Sequence, residues 1–295
     1  ADFLGGEPFH FKDDKRPHAV FVVGENEYDT WESLPEFAHS ELSWRGITHE
    51  FVHAPPSGGN EFTNWPAIAK ADLLLVSVRR RTPPKQMLEL IQAHWAAGKP
   101  LIGIRTASHA FDAKPPDERY AAWSSFDRDV LGGHYEGHFG NNLAPAIRIA
   151  PGADLHPILT GVPIDALRTR YSLYRSRDLA ATTTPLLTGT IVVEGRETTE
   201  PIAWLNTKDN RRVFYTSLGG PEDFKTPAFR RLLFNGILWA LNRPVPPDEH
   251  EIKKAAQRFS TEWQALAVPG TWEDNAGLNH DGIAWYRCVV QVPAN

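Results

Sequence analysis

The 295-residue chain carries one cysteine, Cys288, and one methionine, Met87. A single thiol excludes an internal disulfide framework and a zinc ribbon. No apolar run approaches the roughly 18–20 residues that a membrane span needs. No basic stretch is long enough to track a phosphate backbone, and 31 basic against 36 acidic residues leave a net charge of −5. Nucleic acid is therefore not an expected partner. No G-x-G-x-x-G or G-x-x-x-x-G-K-[ST] pattern follows a strand-like run, so dinucleotide and P-loop sites are unsupported. The G-x-S-x-G elbow of serine hydrolases is missing too, although Ser108 lies beside His109. With 41% hydrophobic and 23% charged residues, the composition excludes a mainly disordered chain.

Proline and tryptophan are plentiful, at 24 and 10 residues. They suit a loop-rich enzyme or a surface on which indoles stack against sugars, though tryptophan also serves as a core and rim residue. Residue 1 is alanine. The chain thus reads as one that has lost its initiator and any signal peptide, which favours a periplasmic or secreted location.

Read for organisation, residues 1–17 form a polar arm. Residues 19–23, 47–52, 73–78 and 100–104 read as buried strands. Helical spacing covers 31–45, and a helix from Pro84 to Ala97 ends at Gly98. This alternation predicts an α/β fold with a doubly wound, mostly parallel sheet. Helical character is also expected over 117–131, with further strands at 145–150, 186–193, 201–205 and 212–217. Thr226 and Pro227 open an amphipathic helix to Leu241. Pro244, Pro246 and Pro247 mark a boundary, so 18–243 is expected to be one domain. The remaining 244–295 reads as a linker, a polar helix at 248–266 and a short β extension, in which Cys288 is expected to be a buried structural thiol.

Open parallel sheets bind ligands beyond the carboxyl ends of their strands. That rule selects the loops carrying Glu27 and Tyr28, Arg79 and Arg81, Arg105, Thr106 and His109, and Glu222 and Asp223. A further cluster, GGHYEGHFGN at 132–141, holds His134, Glu136, His138 and Asn141 on what reads as a glycine-supported loop. Two imidazoles and a carboxylate within five residues suit acid/base chemistry. They are also weak candidates for a divalent metal; no cofactor is otherwise indicated.

The run GIRTASHAF (103–111), the loop VLGGHYEGHFGN (130–141), the pair His156 and Pro157, and VFYTSLGGPEDF (213–224) leading into PAFRRLLFNGILWAL (227–241) resemble the ThuA-like (trehalose-utilisation) family. GENEYDTWESLP (24–35) is similar to a branch common in exported bacterial proteins. The resemblance implies a flavodoxin-like fold related to class I glutamine amidotransferases. It also implies a link to trehalose and related sugars, often beside oxidoreductases that make 3-keto-glycosides. In the amidotransferases the strand matching 100–104 ends in a catalytic cysteine. Arg105 stands there in this chain, so glutamine hydrolysis by a thiolate is excluded. Relatives commonly carry histidine after SLG, where this chain has Gly220. Separately, VPGTWEDN (268–275) and HDGIAWYRCVVQVP (280–293) are similar to the opening strands of a galactose-binding-like sandwich, which implies either the start of a further C-terminal domain or an extension packed on the first.

These readings lead to an enzyme acting on a small sugar or 3-keto-glycoside without a cysteine nucleophile, as a lyase or hydrolase. His109, His138 or Glu27 would be its acid or base, and Arg105 and Arg81 its oxyanion partners. Tyr28, Arg79, Thr106, His134, Glu136, Asn141, Glu222 and Asp223 would contact substrate. Alternatives are hydrolysis by a carboxylate pair such as Glu27 and Glu136, or a non-catalytic carbohydrate-binding module of a larger protein.

Overall fold

A computed structural model describes residues 16–246 except Pro56, and the chain divides into compact units at Ala1–Pro247 and Asp248–Asn295. The arm before residue 16, the helix expected at 248–266, the extension at 268–295 and Cys288 lie outside the described residues.

One eight-stranded sheet organises the first unit. Its strands are β1 (His18–Gly24), β2 (Thr48–His53), β3 (Leu73–Val78), β4 (Leu101–Ile104), β6 (Ala146–Ile149), β8 (Thr183–Val193), β9 (Arg196–Asn206) and β10 (Val213–Thr216), in the spatial order 2-1-3-4-10-9-8-6. Strands β2, β1, β3, β4 and β10 run parallel, and β9, β8 and β6 extend the sheet antiparallel. The strand order reverses between β1 and β3, which places the crevice of a doubly wound sheet at their carboxyl ends. A separate ribbon pairs β5 (His134–His138) with β7 (Tyr174–Arg177).

The parallel strands are apolar on both faces because helices cover both. Along β1, Ala19, Phe21 and Val23 face one apolar cluster, while Val20 and Val22 face the other. The first cluster includes Leu34 and Phe37 of α1 (Thr30–Phe37), Phe224 of the short α3 (Pro221–Phe224), and Leu232, Leu233 and Ile237 of α4 (Pro227–Ala240). The second takes Met87, Leu88 and Ile91 from α2 (Lys85–Ala96). Each fully buried Leu, Val or Phe side chain contributes roughly 1.5–3 kcal/mol. Thr226 caps α4 by accepting from the Phe229 amide at 3.3 Å, and Pro227 sits in its first turn, as the sequence predicts.

Two expectations need correction. Residues 117–131 form no long helix: only Asp127–Leu131 close a single wide turn. Upstream, Asp117 binds its neighbour Arg119, and Tyr120 bridges to Pro84, so those residues are held outside a helical ladder. The glycine-rich segment after Gly133 is not a free loop but strand β5. Its partner β7 supplies the pairing, and a register shift between Tyr135 and His138 absorbs Gly137, whose φ is +109°.

Burial also sets a pH response. His94 of α2 binds the Pro100 carbonyl at 2.9 Å, and burial lowers its pKa to about 4. His109 is pushed to about 3, by burial first and then by Arg80 and Arg79. Both rings fold neutral, whereas an unfolded histidine titrates near 6.5. Below about pH 6.5 the unfolded chain therefore binds more protons, and stability falls as pH drops toward the folded values, by up to about 1.4 kcal/mol per pH unit for each ring. Urea unfolding should show lower stability at pH 5 than at pH 7, and His94→Gln should flatten that slope. An unchanged slope in His94→Gln would show that this ring does not contribute.

Candidate functional site

Among the described residues, two clefts lie at the carboxyl edge of the sheet. The first, of about 520 Å³, lies against the turn after β4 (Arg105–His109) and is lined by His109, Asp127, His134, Tyr135, Glu136, His138, Arg80 and Arg175 among others. The second, of about 1030 Å³, is lined by residues of α1 and α3 with Glu27, Arg170 and Tyr171.

The first cleft is built from the wide turn upward. Gly132, at φ +80°, ends that turn and reverses the chain into β5. The carbonyls of Val130 and Leu131 are held by Asn206 Nδ2 at 2.9 Å and Trp204 Nε1 at 2.8 Å, both from β9. The reversal returns His134 to Asp127, 5% exposed, whose Oδ2 lies 2.8 Å from His134 Nδ1 and accepts from the Tyr135 amide at 3.2 Å. Its Oδ1 accepts from the Arg128 amide at 2.8 Å. A carboxylate only accepts, so His134 Nδ1 carries a proton and donates it, and a neutral ring keeps its lone pair at Nε2. An imidazole held in this way is able to act as an oriented general base.

Across the cleft, the Tyr135 hydroxyl lies 2.9 Å from His138 Nδ1, and the Tyr135 ring stacks on His109 with centroids 4.3 Å apart. His109 Nδ1 lies 3.2 Å from Ser108 Oγ, which donates to the Arg105 carbonyl. Strand β7 is anchored from below: Glu200, 1% exposed, receives Arg177 Nη1 at 2.6 Å and the Ser176 amide at 3.1 Å.

The structure thus gathers His109, His134, Glu136 and His138. Glu27 lines the other cleft, 2.7 Å from Arg79, while Glu136 lines the first. Arg81 is buried and donates to the carbonyls of Gly24 and Gly59, tying two loops together. Arg105 is 1% exposed, with φ +46°, and its guanidinium lies 4.0, 5.1 and 5.0 Å from the ring centres of Tyr28, Tyr171 and Tyr174. It cannot touch a ligand in the first cleft as folded here, and neither can the fully buried Thr106. Asn141 Oδ1 accepts the Ser172 amide. Glu222 pairs with Lys225 at 2.8 Å, and Asp223 Oδ2 receives the amides of Gly219 and Gly220. A side chain at Gly220 would meet the Tyr171 ring, since an added Cβ would lie 2.1 Å from it.

Asp127, Tyr135 and Tyr174 were not singled out by the sequence. The one available signal for Asp127 is a carboxylate a few residues before the GGH reversal. Among the described residues no three His, Cys, Asp or Glu side chains group to hold a metal ion, and no helix is long and apolar enough to cross a membrane.

A mostly parallel doubly wound sheet with its polar clefts at the carboxyl edge defines a flavodoxin-like α/β protein of the class I glutamine amidotransferase type. Within that class, the sequence profile of the trehalose utilisation family, ThuA, matches residues 19–240, and the chain belongs to this family. Among solved structures, a ThuA-like protein of Parabacteroides merdae is similar at 18% identity and a TM-score of 0.57, over 79% of this chain and 92% of that one. A ThuA-like protein of Bacteroides uniformis is similar at 14% identity and a TM-score of 0.54, over 81% of this chain and 97% of that one. No curated protein matches the chain. The likeness to the two structures establishes the fold, and membership of the family supports a carbohydrate-related role.

Proposed function

We propose that the protein cleaves a 3-keto-glycoside by acid/base elimination in the cleft of His109, His134 and His138. The observation that carries this reading is the Asp127–His134 pair, which leaves His134 Nε2 as a base on the cleft wall. A ketone at C3 acidifies the C2–H bond. His134 Nε2 takes that proton, the C–H electron pair becomes the C1–C2 double bond, and the C1–O bond breaks. The departing oxygen takes a proton from His138, which the Tyr135 hydroxyl contacts at 2.9 Å. Arg80, which lines the cleft, faces the negative charge that develops on the C3 oxygen. Arg105 and Arg81 support the walls instead, because both are buried.

The test is turnover of 3-keto-trehalose and other 3-keto-disaccharides, followed by release of the free sugar. Wild type should produce an unsaturated keto-sugar together with the free sugar, and His138→Ala should slow release by about 10²-fold or more, the contribution of one positioned acid. Equal rates in wild type and His138→Ala would remove His138 as the acid. No product with any 3-keto-disaccharide would remove the reaction.

A further inference from the structure

Between the two clefts stands a wall of tyrosines, Tyr171, Tyr28, Tyr174 and Tyr135, packed edge to face at 5.6 Å between Tyr28 and Tyr171 and 4.8 Å between Tyr135 and Tyr174. Arg105 sits inside it. Its Nη1 donates to the Ser217 carbonyl at 2.5 Å and Nη2 to Ser172 Oγ at 3.3 Å, but Nε has no partner. Asp223, also 1% exposed, uses Oδ2 for the Gly219 and Gly220 amides and leaves Oδ1 without a partner. One buried donor and one buried acceptor are thus unspent within range of each other's charge. Native interiors rarely keep such groups unless a ligand or water completes them. The backbone at Arg105 is in the left-handed region, φ +46°, a strain that tends to persist at functional positions.

Tyr171 is what separates this pair from the larger cleft. Its ring lies on Gly220, 5.1 Å from the Arg105 guanidinium, and the same residue lines the cleft together with Pro221, Glu222 and Phe224. The strap that carries it is tied on either side of Tyr171, by the Arg170 carbonyl accepting from the Asn142 amide at 2.8 Å and the Ser172 amide donating to Asn141 Oδ1 at 3.0 Å, while the hydrogen bonds of Tyr171 itself are longer. The Tyr171 hydroxyl accepts from the Glu222 amide, the Tyr171 amide donates to Thr169 Oγ1, and Thr169 Oγ1 donates to Asp223 Oδ2, each at 3.3 Å. These lie beyond the usual range of strong hydrogen bonds.

We propose that Arg105 and Asp223 form the floor of a second, polyol-binding subsite that opens into the cleft between α1 and α3 when Tyr171 swings aside. A sugar hydroxyl is both donor and acceptor. Its oxygen accepts from Arg105 Nε, and its proton goes to Asp223 Oδ1, so one group completes both residues. The ligand class is a neutral sugar ring, and the subsite extends the preceding reading to the second ring of a disaccharide.

The test uses the full chain and trehalose at about 100 mM, far above a 1 mM Kd. Trehalose should shift the Arg105 Nε–H resonance, identified by its loss in Arg105→Lys, and should do so equally in His134→Ala, which disables only the other cleft. Tyr171→Ala removes the cover and should bind trehalose about three- to tenfold more tightly, because the open state no longer has to be populated against the ring. Asp223→Asn keeps an oxygen for the glycine amides but turns the free acceptor into a donor, and should weaken binding about tenfold. An Arg105 resonance that trehalose leaves unmoved overturns the subsite, as does unchanged affinity in Tyr171→Ala. Loss of turnover in His134→Ala bears on the elimination chemistry alone.

Discussion

Asparagine at position 127 is expected to lower kcat on the 3-keto-glycoside substrate by about 10²–10⁴-fold with little change in KM, the scale seen when the partner that orients a catalytic imidazole loses its charge. The carboxylate serves three donors: the Arg128 amide on Oδ1, and His134 Nδ1 with the Tyr135 amide on Oδ2. An amide has only one acceptor oxygen. With that oxygen toward His134, its NH2 confronts the Arg128 amide, and the imidazolium formed on proton abstraction has lost its counter-charge. With the NH2 toward His134, the ring must accept at Nδ1, so Nε2 becomes protonated and ceases to be a base. Steady-state kinetics with a thermal melt of the same protein separates the chemical loss from any structural one. An unaltered kcat would remove His134 from the base role.

Alanine at Gly132 is expected to destabilise the fold by about 2–5 kcal/mol, the sum of a left-handed backbone imposed on a residue with a Cβ and steric overpacking. The glycine has φ +80°, and an added Cβ would lie 2.4 Å from Thr183 Oγ1 and 2.8 Å from Asn206 Cγ. Neither neighbour can retreat freely. Thr183 Oγ1 donates to the Gly132 carbonyl at 2.8 Å, and Asn206 holds the Val130 carbonyl. Gly137→Ala is the matched control: its φ is +109°, but nothing lies within 4 Å of an added Cβ, so only the backbone cost of about 1–2 kcal/mol remains. Urea unfolding of the two variants measures the difference, and equal losses would show that the contacts of Gly132 do not matter. Because Gly132 turns the chain from Asp127 toward His134, the folded fraction of Gly132→Ala should also lose activity.

The parallel half of the sheet was legible because its strands are continuous apolar runs and its helices carry their own caps. Thr226 with Pro227, and Gly98 after α2, need no distant partner to act. Strand β5 was not legible, since its pairing energy comes from β7, some forty residues later, and its glycines read locally as a loop. The helix expected at 117–131 failed for the converse reason: helical spacing was present, but Pro84 and Asp117 offer the backbone and side chains other partners. Arg105 was visible as a residue at the ligand edge, yet its burial depends on three tyrosines closing over it, from the loop after β1, the segment before β7 and β7 itself.

The order of elements, the doubly wound sheet and the crowding of histidine, arginine and carboxylate at its carboxyl edge are properties of local pattern, and the chain alone carries them. Which of those side chains meet is decided in three dimensions. Asp127 orients His134 because a wide turn, a left-handed glycine and two hydrogen bonds from β9 fold seven residues back on themselves. Glu27 pairs with Arg79 and Arg105 is enclosed by a tyrosine wall, so neither lines the cleft of the histidines. Hydrophobic periodicity is written along the backbone at fixed spacing, whereas a hydrogen bond between distant residues exists only once packing has set both ends.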